Sequence, residues 1–308
     1  MLYPKKQIVK RYEKNPIITA DDMPFECAGV YNSGATRFND KYLMMLRVES
    51  IDITDYFWVA TSDDGYKFKV WDEPVPMPEE DAEFKEYAGG MIYDPRVVEI
   101  EGTYYLTFAC HSGHGVRIGL MSTKDFIKYQ WLGCISETDN RNAALFPERI
   151  KGDYVRLDRP ITPGDHGDIW IAYSPDLVHW GRAKCIAKTG GGWAWKKIGA
   201  GAPPIRTKQG WLEIFHGVHV MASGYVYHIG VMLLDLDNPS KVIARGKAPI
   251  LSPKLPYERV GLTMNVVFTS GAIPEPDGTV KIYYGGADTV QCVATAKIED
   301  LIDACYNR

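Results

Sequence analysis

Residues 93–110 read YDPRVVEIEGTYYLTFAC, in which a short apolar strand, the turn Glu101-Gly102 and a second apolar strand follow one another. The pattern occurs five times, with turns at Asn39-Asp40, Glu101-Gly102, Lys151-Gly152, Gln209-Gly210 and Asp277-Gly278. Such polar pairs between alternating apolar runs predict β-hairpins. Successive turns are 50 to 68 residues apart, and a repeat of this length with several strands per copy is typical of a propeller. We therefore predict an all-β chain folded as a five-bladed β-propeller.

One such domain accounts for the whole chain, residues 1–308, because no linker, low-complexity run or change of composition divides it. Residues 1–28 precede the first repeat and are expected to form an extended arm. The tail, residues 297–308, carries apolar residues at helical spacing, which predicts a short terminal helix. These apolar residues are Ile298, Leu301 and Ile302.

Two long insertions interrupt the repeats, at residues 79–87 and 188–197. The second is rich in glycine and carries Trp193 and Trp195. It is either a lid over a binding site or a plain surface loop.

Composition restricts the classes of function. Apolar residues make up 45% and charged residues 24% of the chain, as in an ordinary globular protein. The net charge of −4 disfavours a nucleic-acid partner, and no apolar run is long enough for a membrane span. The first residues lack the apolar core of a secretory signal. The six cysteines form no C-x-x-C pair, so we expect reduced thiols in a cytoplasmic protein.

The repeat also allows equivalent residues of the five copies to be aligned. In each antiparallel hairpin, the start of the first strand and the end of the second strand lie at the same end of the hairpin. Residues at these positions should form a ring around one mouth of the propeller. The polar members are Asn32, Arg47, Asp94, Arg96 and Arg159, with His216 one residue before its position and Asp288 three residues after its position. Polar groups that converge among small residues are what a ligand site requires. The alternative is that these charged side chains lie at the ends of loops, face water and have no role in a site.

Asp94 is the candidate general acid of this ring. It lies in Tyr93-Asp94-Pro95-Arg96 and is expected to begin an innermost strand, where the axis is narrowest. The alternative is an Asx-Pro turn in which the Asp94 side chain only caps the start of the strand.

Four cations flank the ends of the inner strands. They are Arg47, Arg141, Arg159 and Lys197. Forked guanidinium groups and a lysine point charge are typical of a phosphate site, and His216 and Tyr227 fall nearby in the repeat register. The alternative is that each arginine pairs with Asp158 or Asp168. No metal is expected, because His216 and His219, three residues apart on one strand, face opposite sides.

Together these residues and their neighbours resemble glycoside hydrolase family 130, the β-mannoside phosphorylases on a five-bladed propeller. The matching segments are Tyr31-Asn32-Ser33, Leu46-Arg47, Tyr93-Asp94-Pro95-Arg96, Arg141-Asn142-Ala143-Ala144-Leu145-Phe146-Pro147, Leu157-Asp158-Arg159-Pro160, Lys197-Ile198-Gly199-Ala200-Gly201, His216-Gly217-Val218 and Tyr283-Tyr284-Gly285-Gly286-Ala287-Asp288. They occur in all five repeats, so the resemblance covers nearly the whole chain. It implies inverting phosphorolysis of a β-mannoside to α-mannose 1-phosphate, and the reverse synthesis.

The resemblance also implies a role for each residue. Asp94 would be the proton donor, with its proton reaching the glycosidic oxygen through the mannose 3-hydroxyl. Phosphate would be held by Arg141, Asn142, Arg159, Lys197, His216 and Tyr227. The mannose would be held by Asn32, Ser33, Arg47, Tyr93 and Asp288. Inorganic phosphate is then a co-substrate, and no cofactor is implied.

Two other functions remain open from the sequence. An inverting glycosidase on the same propeller would need a second carboxylate, for which Asp288 or Glu258 could serve. A non-catalytic carbohydrate-binding propeller would need none. The sequence decides neither between β-1,4 and β-1,2 linkages nor between acceptor sugars, and it leaves open a homo-oligomer formed through exposed strand edges or the arm.

Overall fold

The computed structural model describes residues 8–52 and 54–306. The start of the predicted arm, residues 1–7, and the end of the predicted tail, residues 307–308, lie outside this part. Most of the described secondary structure consists of antiparallel β-strands, which confirms a predominantly β protein. A two-residue strand, β1 (Lys10–Arg11), comes first in the chain.

The next eight strands form two four-stranded sheets, each with its strands in chain order. The first contains β2 (Cys27–Phe38), β3 (Lys41–Ser50), β4 (Asp55–Ser62) and β5 (Lys69–Pro74). The second contains β6 (Met91–Ile100), β7 (Thr103–Ser112), β8 (Gly115–Thr123) and β9 (Tyr129–Cys134).

A ten-stranded sheet follows, made of two strand groups joined by one short strand. The first group is β10 (Asn140–Leu145), β11 (Tyr154–Thr162), β13 (Ile169–Ser174) and β14 (Gly181–Ala187), and β12 (His166–Gly167) is the joining strand. The second group is β15 (Lys197–Gly199), β16 (Ile205–Arg206), β17 (Trp211–Met221), β18 (Gly224–Leu234) and β19 (Val242–Arg245). Gly167 of β12 pairs with Ile161 of β11 on one side and with Lys197 of β15 on the other.

The last sheet combines the two ends of the chain. It contains β20 (Val267–Pro274), β21 (Thr279–Gly286) and β22 (Val290–Lys297). Strand β1 adds to its outer edge, with Lys10 opposite Thr295 and Arg11 opposite Ala294. The described part of the arm is therefore held within its own chain by pairing with β22.

The hairpin turns lie where the sequence predicts them. Asn39-Asp40 joins β2 to β3 and Glu101-Gly102 joins β6 to β7, with both residues of each pair at positive φ. Lys151-Gly152 has the same conformation. Two consecutive positive φ values match the right-handed twist of the flanking strands, which is why asparagine, aspartate and glycine are frequent at these positions.

Three α-helices occur in residues 8–52 and 54–306, and the sequence predicted one of them. They are α1 (Ala82–Ala88), α2 (Pro256–Arg259) and α3 (Ile298–Tyr306). Helix α3 confirms the predicted terminal helix. Helix α1 lies in the first insertion, where Asp81 caps it by accepting a hydrogen bond from the Phe84 amide at 3.0 Å. No helix in these residues is long and apolar enough to cross a membrane.

The second insertion is anchored by a tryptophan. Residues Gly192–Ala194 form one turn of 3-10 helix, and the buried Trp193 packs on Gly217 and Gly230. Its indole Nε1 donates to the Lys247 carbonyl oxygen at 2.9 Å. The ring thereby fixes this loop on the core, which favours the surface-loop interpretation over the lid.

The edge strands β2, β6 and β20 of neighbouring sheets approach one another too closely for side chains at certain positions. A Cβ on Gly34 of β2 would lie 2.7 Å from the Pro95 carbonyl oxygen of β6. A Cβ on Gly271 of β20 would lie 2.5 Å from the Ala35 nitrogen of β2. Strand β2 is thus packed between β6 and β20, and glycine is required where the backbones meet.

Replacing Gly34 by alanine should therefore destabilise the protein by about 1–3 kcal/mol, because the new methyl group meets backbone atoms that cannot move aside. Gly181→Ala is the control, since a Cβ there would meet nothing within 4 Å. Its effect should stay within about 0.5 kcal/mol. Urea unfolding followed by tryptophan fluorescence measures both. Equal stability of the two variants would contradict the close packing of β2 against β6.

Candidate active site

The site is built on β-bulges in strands β2, β6, β10 and β20. The strand register shifts between Tyr31 and Gly34 and again between Tyr93 and Arg96. Two further shifts occur in β10, between Arg141 and Ala144, and in β20, between Thr269 and Gly271. A bulge inserts an extra residue and re-aims its side chain, and bulges are frequent beside active sites.

Three of these bulges place a polar residue in the left-handed region. Asn32, Asp94 and Asn142 have φ values of 51°, 53° and 59°. Asparagine and aspartate tolerate this conformation better than other residues with a Cβ. Asp94 is the fourth residue of β6 (Met91–Ile100). The prediction that it begins the strand is therefore wrong, as is the alternative of an Asx-Pro turn that starts the strand.

The three bulge residues line one cavity of about 240 Å³. Its lining is Asn32, Arg47, Met91, Tyr93, Asp94, His111, Arg141, Asn142, Arg159, Tyr227, Val266, Phe268 and Asp288. All of the predicted site residues are among them except Ser33, Lys197 and His216. Four lining residues were not predicted from the sequence: Met91, His111, Val266 and Phe268. Phe268 lies two residues before the bulge in β20, so a closer alignment of the repeats could have found it.

The Asp94 carboxylate is held through one of its two oxygens. Oδ1 accepts from Arg47 Nη1 at 3.0 Å and from Asn32 Nδ2 at 3.1 Å. Asn32 Nδ2 also donates to Asp288 Oδ1 at 3.1 Å. Within the described residues Asp94 Oδ2 has no hydrogen-bond partner, so this oxygen is available to contact a ligand in the cavity.

Arg47 is itself fixed by acidic residues behind it. Its Nε and Nη2 donate to the two oxygens of Asp55, at 3.0 and 3.3 Å, and Glu49 lies 3.6 Å away. Burial raises the pKa of Asp55 to about 6, although Arg47 acts against this. This arrangement orients the remaining Nη1 toward Asp94. Asp55 was not predicted, because nothing in the repeat pattern distinguishes it from a surface residue at a strand start.

Two further lining residues, Arg141 and Arg159, make part of the cavity cationic. Arg159 is only 4% exposed, and its Nη1 donates to His216 Nε2 at 2.8 Å. In the described part of the chain neither Arg159 nor Arg141 has a carboxylate partner, and the Nε of each is buried without a hydrogen bond. Burial, together with nearby Arg141, lowers the pKa of Arg159 to about 10 although Tyr227 acts to raise it. An anion bound here would relieve this buried positive charge.

The proposed structural partners of these arginines are occupied elsewhere. Asp158 accepts from Arg156 Nε at 2.9 Å and from Asn140 at 3.2 Å. Asp168 accepts from the Thr189 amide at 2.7 Å. The alternative that Asp158 or Asp168 neutralises Arg141 or Arg159 is therefore wrong.

His216 and Lys197 lie behind the cavity lining. Burial, with Arg159, Arg96 and Lys197 nearby, lowers the pKa of His216 well below its usual value. The neutral ring can accept the Arg159 hydrogen bond at Nε2. Gly199 leaves the space, because a Cβ there would lie 2.5 Å from His216 Cε1. Lys197 Nζ donates to Asp165 Oδ2 at 2.8 Å.

Two further residues sit just outside the cavity. Ser33 is fully buried in the β2 bulge, where its amide donates to Gln291 Oε1 at 3.1 Å. Arg96 donates to the backbone carbonyl oxygens of Asp94, Ala200 and Gly201 at 3.0, 3.0 and 2.6 Å. Its hydrogen bond to the Asp94 carbonyl oxygen therefore stabilises the β6 bulge in which Asp94 lies.

Glu258, one of the two carboxylates that an inverting glycosidase could use, is engaged elsewhere. It accepts from Arg11 Nε at 2.6 Å and from the Tyr284 hydroxyl at 3.0 Å. The other, Asp288, shares the Asn32 amide with Asp94. Burial is the main cause that raises its pKa. Across the residues that the structure describes, no group of three or more His, Cys, Asp or Glu residues could hold a metal ion.

Comparison with known proteins identifies the family. The family profile described as beta-1,4-mannooligosaccharide phosphorylase matches residues 3–307. A 1,2-beta-oligomannan phosphorylase of Thermoanaerobacter sp. is 37% identical, covering 95% of this chain and 98% of that protein. A beta-1,4-mannooligosaccharide phosphorylase of Ruminococcus albus is 33% identical, covering 97% of this chain and 91% of that protein.

A solved structure shows the same architecture. The beta-1,2-mannobiose phosphorylase of Listeria innocua, in complex with beta-1,2-mannobiose, superposes with a TM-score of 0.88 at 31% identity. The match covers 96% of this chain and 99% of that one. On the profile match and the identities over nearly its whole length, the chain belongs to glycoside hydrolase family 130.

Proposed function

We propose that this protein is a phosphorylase that cleaves β-linked mannosides with inversion, giving α-mannose 1-phosphate, and that it also runs the reverse synthesis. One observation carries the proposal: two arginines without a carboxylate partner among the described residues line the cavity that holds Asp94. Such a charge arrangement fits a phosphate dianion beside a single acid. The related proteins named above as phosphorylases of β-1,2- and β-1,4-linked mannosides support the substrate class.

In the proposed reaction Asp94 is the acid and phosphate is the nucleophile. Protonated Asp94 gives its proton to the mannose 3-hydroxyl, which passes its own proton to the glycosidic oxygen as the bond from that oxygen to mannose C1 breaks. A phosphate oxygen attacks C1 from the opposite face, so the configuration inverts. The leaving sugar takes the proton, and Asp94 is left as the carboxylate that Arg47 and Asn32 stabilise.

The remaining residues are proposed to position the two reactants. Arg141, Asn142, Arg159, Lys197, His216 and Tyr227 would bind phosphate. Burial raises the pKa of Tyr227 to about 12, so its hydroxyl stays a hydrogen-bond donor. Asn32, Ser33, Arg47, Tyr93 and Asp288 would bind the mannose. Phosphate supplies the nucleophile, so the proposed reaction needs neither a cofactor nor a metal ion.

A hydrolase is the less favourable assignment. An inverting glycosidase uses a base across the sugar from the acid, with about 6.5–9.5 Å between the carboxyl groups and water between them. Asp288 instead lies on the same side as Asp94, since both accept from one nitrogen of Asn32. Glu258 is held by Arg11. Neither carboxylate is placed to activate a water opposite Asp94.

We propose further that the chain is one five-bladed propeller domain. The two groups of the ten-stranded sheet would then count as separate blades joined by β12, and β1 would complete the last blade. A cytoplasmic location is also proposed, supported by six free cysteines.

The direct test is incubation with β-1,4-mannobiose and, separately, β-1,2-mannobiose, with and without inorganic phosphate. We expect α-mannose 1-phosphate only when phosphate is present, because phosphate is the nucleophile; NMR identifies the anomer. The rates of phosphorolysis of the two disaccharides show which linkage the enzyme prefers. Free mannose released at the same rate without phosphate would show a glycosidase, and no reaction with either disaccharide would favour a binding protein.

The variant Asp94→Asn tests the acid. It keeps the shape of the side chain but has no proton to give, so phosphorolysis of the preferred mannobiose should fall about 10²- to 10⁴-fold. A β-mannoside with a nitrophenol leaving group needs little protonation, so its phosphorolysis should fall far less. Steady-state kinetics with both substrates measure the difference. An equal loss on both substrates would mean that Asp94 does not act as the acid.

A further inference from the structure

Lys197 differs from Arg141 and Arg159, the other two cations of the proposed phosphate pocket, because it already holds a carboxylate. Its Nζ lies 2.8 Å from Asp165 Oδ2, and the Tyr225 hydroxyl donates to the same oxygen at 2.7 Å. Arg141 and Arg159 pair with no carboxylate in residues 8–52 and 54–306. The Lys197 side chain is 9% exposed, whereas that of Asp165 is 44% exposed.

The turn that carries Asp165 connects two strands of the site. It lies between β11, which contributes Arg159, and β12, which pairs with β15 at Lys197. Asp165 adopts a φ of 58° in this turn. Lys196 Nζ donates to the Gly164 carbonyl oxygen and the Tyr225 hydroxyl donates to Asp165, so side chains from β18 and from the residue before β15 hold the turn in place.

Asp165 is an anion in this arrangement. Partial burial acts to raise its pKa, but the hydrogen bonds from Lys197 and Tyr225 outweigh this and lower the pKa below its usual value. A phosphate oxygen on the same Lys197 ammonium would lie close to this carboxylate. Two like charges at hydrogen-bond distance from one cation repel each other strongly in a partly buried site.

We infer that Asp165 is an internal competitor of phosphate, which occupies Lys197 in the empty enzyme and must release it when phosphate binds. The inference rests on the proposed function and assigns to Asp165 the control of phosphate affinity. Asp165 acts through Lys197 rather than on the reacting atoms. Its exposed position in a turn lets it move into water, whereas Lys197 is fixed by burial.

If Asp165 instead helped Lys197 to bind phosphate, its removal would change the KM for phosphate in the opposite direction. A lysine ammonium has three donors, so Lys197 could hold Asp165 and phosphate together. Asp165 would then orient Lys197, and removing its charge would raise the KM for phosphate. Competition instead predicts that the KM for phosphate falls while kcat at saturating phosphate is unchanged, because Asp165 is displaced before the reaction begins.

The test is the variant Asp165→Asn, assayed for phosphorolysis over a range of phosphate concentrations at saturating mannoside. We expect the KM for phosphate to fall about two- to fivefold, as expected for a half-exposed ion pair. Asp168→Asn is the matched control, because it removes the same charge from the same segment but its carboxylate bonds Thr189. That control should change the KM less.

A double-mutant cycle completes the experiment. In a Lys197→Met background the effect of Asp165→Asn should disappear, because Asp165 then has no ammonium to occupy. An unchanged or raised KM for phosphate in Asp165→Asn, with phosphorolysis intact, overturns the inference and leaves the proposed function standing. A wild-type enzyme with no phosphate-dependent turnover overturns both.

Discussion

The structure depends on an uncompensated positive charge beside Asp94. Three arginines are 4% exposed or less, and each has a different kind of hydrogen-bond partner. Arg156 has an aspartate partner, and Arg96 donates to three backbone carbonyl oxygens. Arg159 has only the neutral ring of His216 within the described residues. A buried cation without an anion is unfavourable unless a ligand supplies the anion. Burial of Arg159 without a carboxylate partner therefore lowers the stability of the protein when the cavity is empty.

The backbone conformation determines where the polar side chains of the site lie. Bulges in β2, β6 and β10 place Asn32, Asp94 and Asn142 on one cavity, each at a positive φ. Glycines where β2 meets β6 and β20 allow the strands to approach closely enough for these side chains to converge. Arg96 then links the Asp94 bulge to the segment after β15. The position of the acid is therefore set by main-chain geometry from several strands rather than by one loop.

Much of this could be predicted from the sequence, because a two-residue hairpin turn fixes the positions of the two strands that it joins. The spacing from those turns is enough to identify Asn32, Arg47, Asp94 and Arg159 as members of the site. In the third repeat the spacing from the turn does not identify Asn142, although Asn142 lies in the bulge of β10. The connection between β10 and β11 is long there, so distances counted from the turn no longer apply.

The sequence could not show the residues that act through contacts between distant parts of the chain. Asp55 supports Arg47 from the next strand, and Asp165 reaches Lys197 across two strand groups. Neither carries a motif, and both look like ordinary surface acids. Helix α1 was also missed, because its apolar residues Phe84 and Ala88 are too few to give a clear helical period.

The most direct measurement is a crystal structure of the protein grown with inorganic phosphate. We predict one phosphate in the cavity, with its oxygens within hydrogen-bond distance of both Arg141 and Arg159 and facing Asp94 across the space left for the sugar. A cavity that stays empty at phosphate concentrations well above those that support turnover would contradict a phosphate site beside the acid, as would phosphate bound only outside these two arginines.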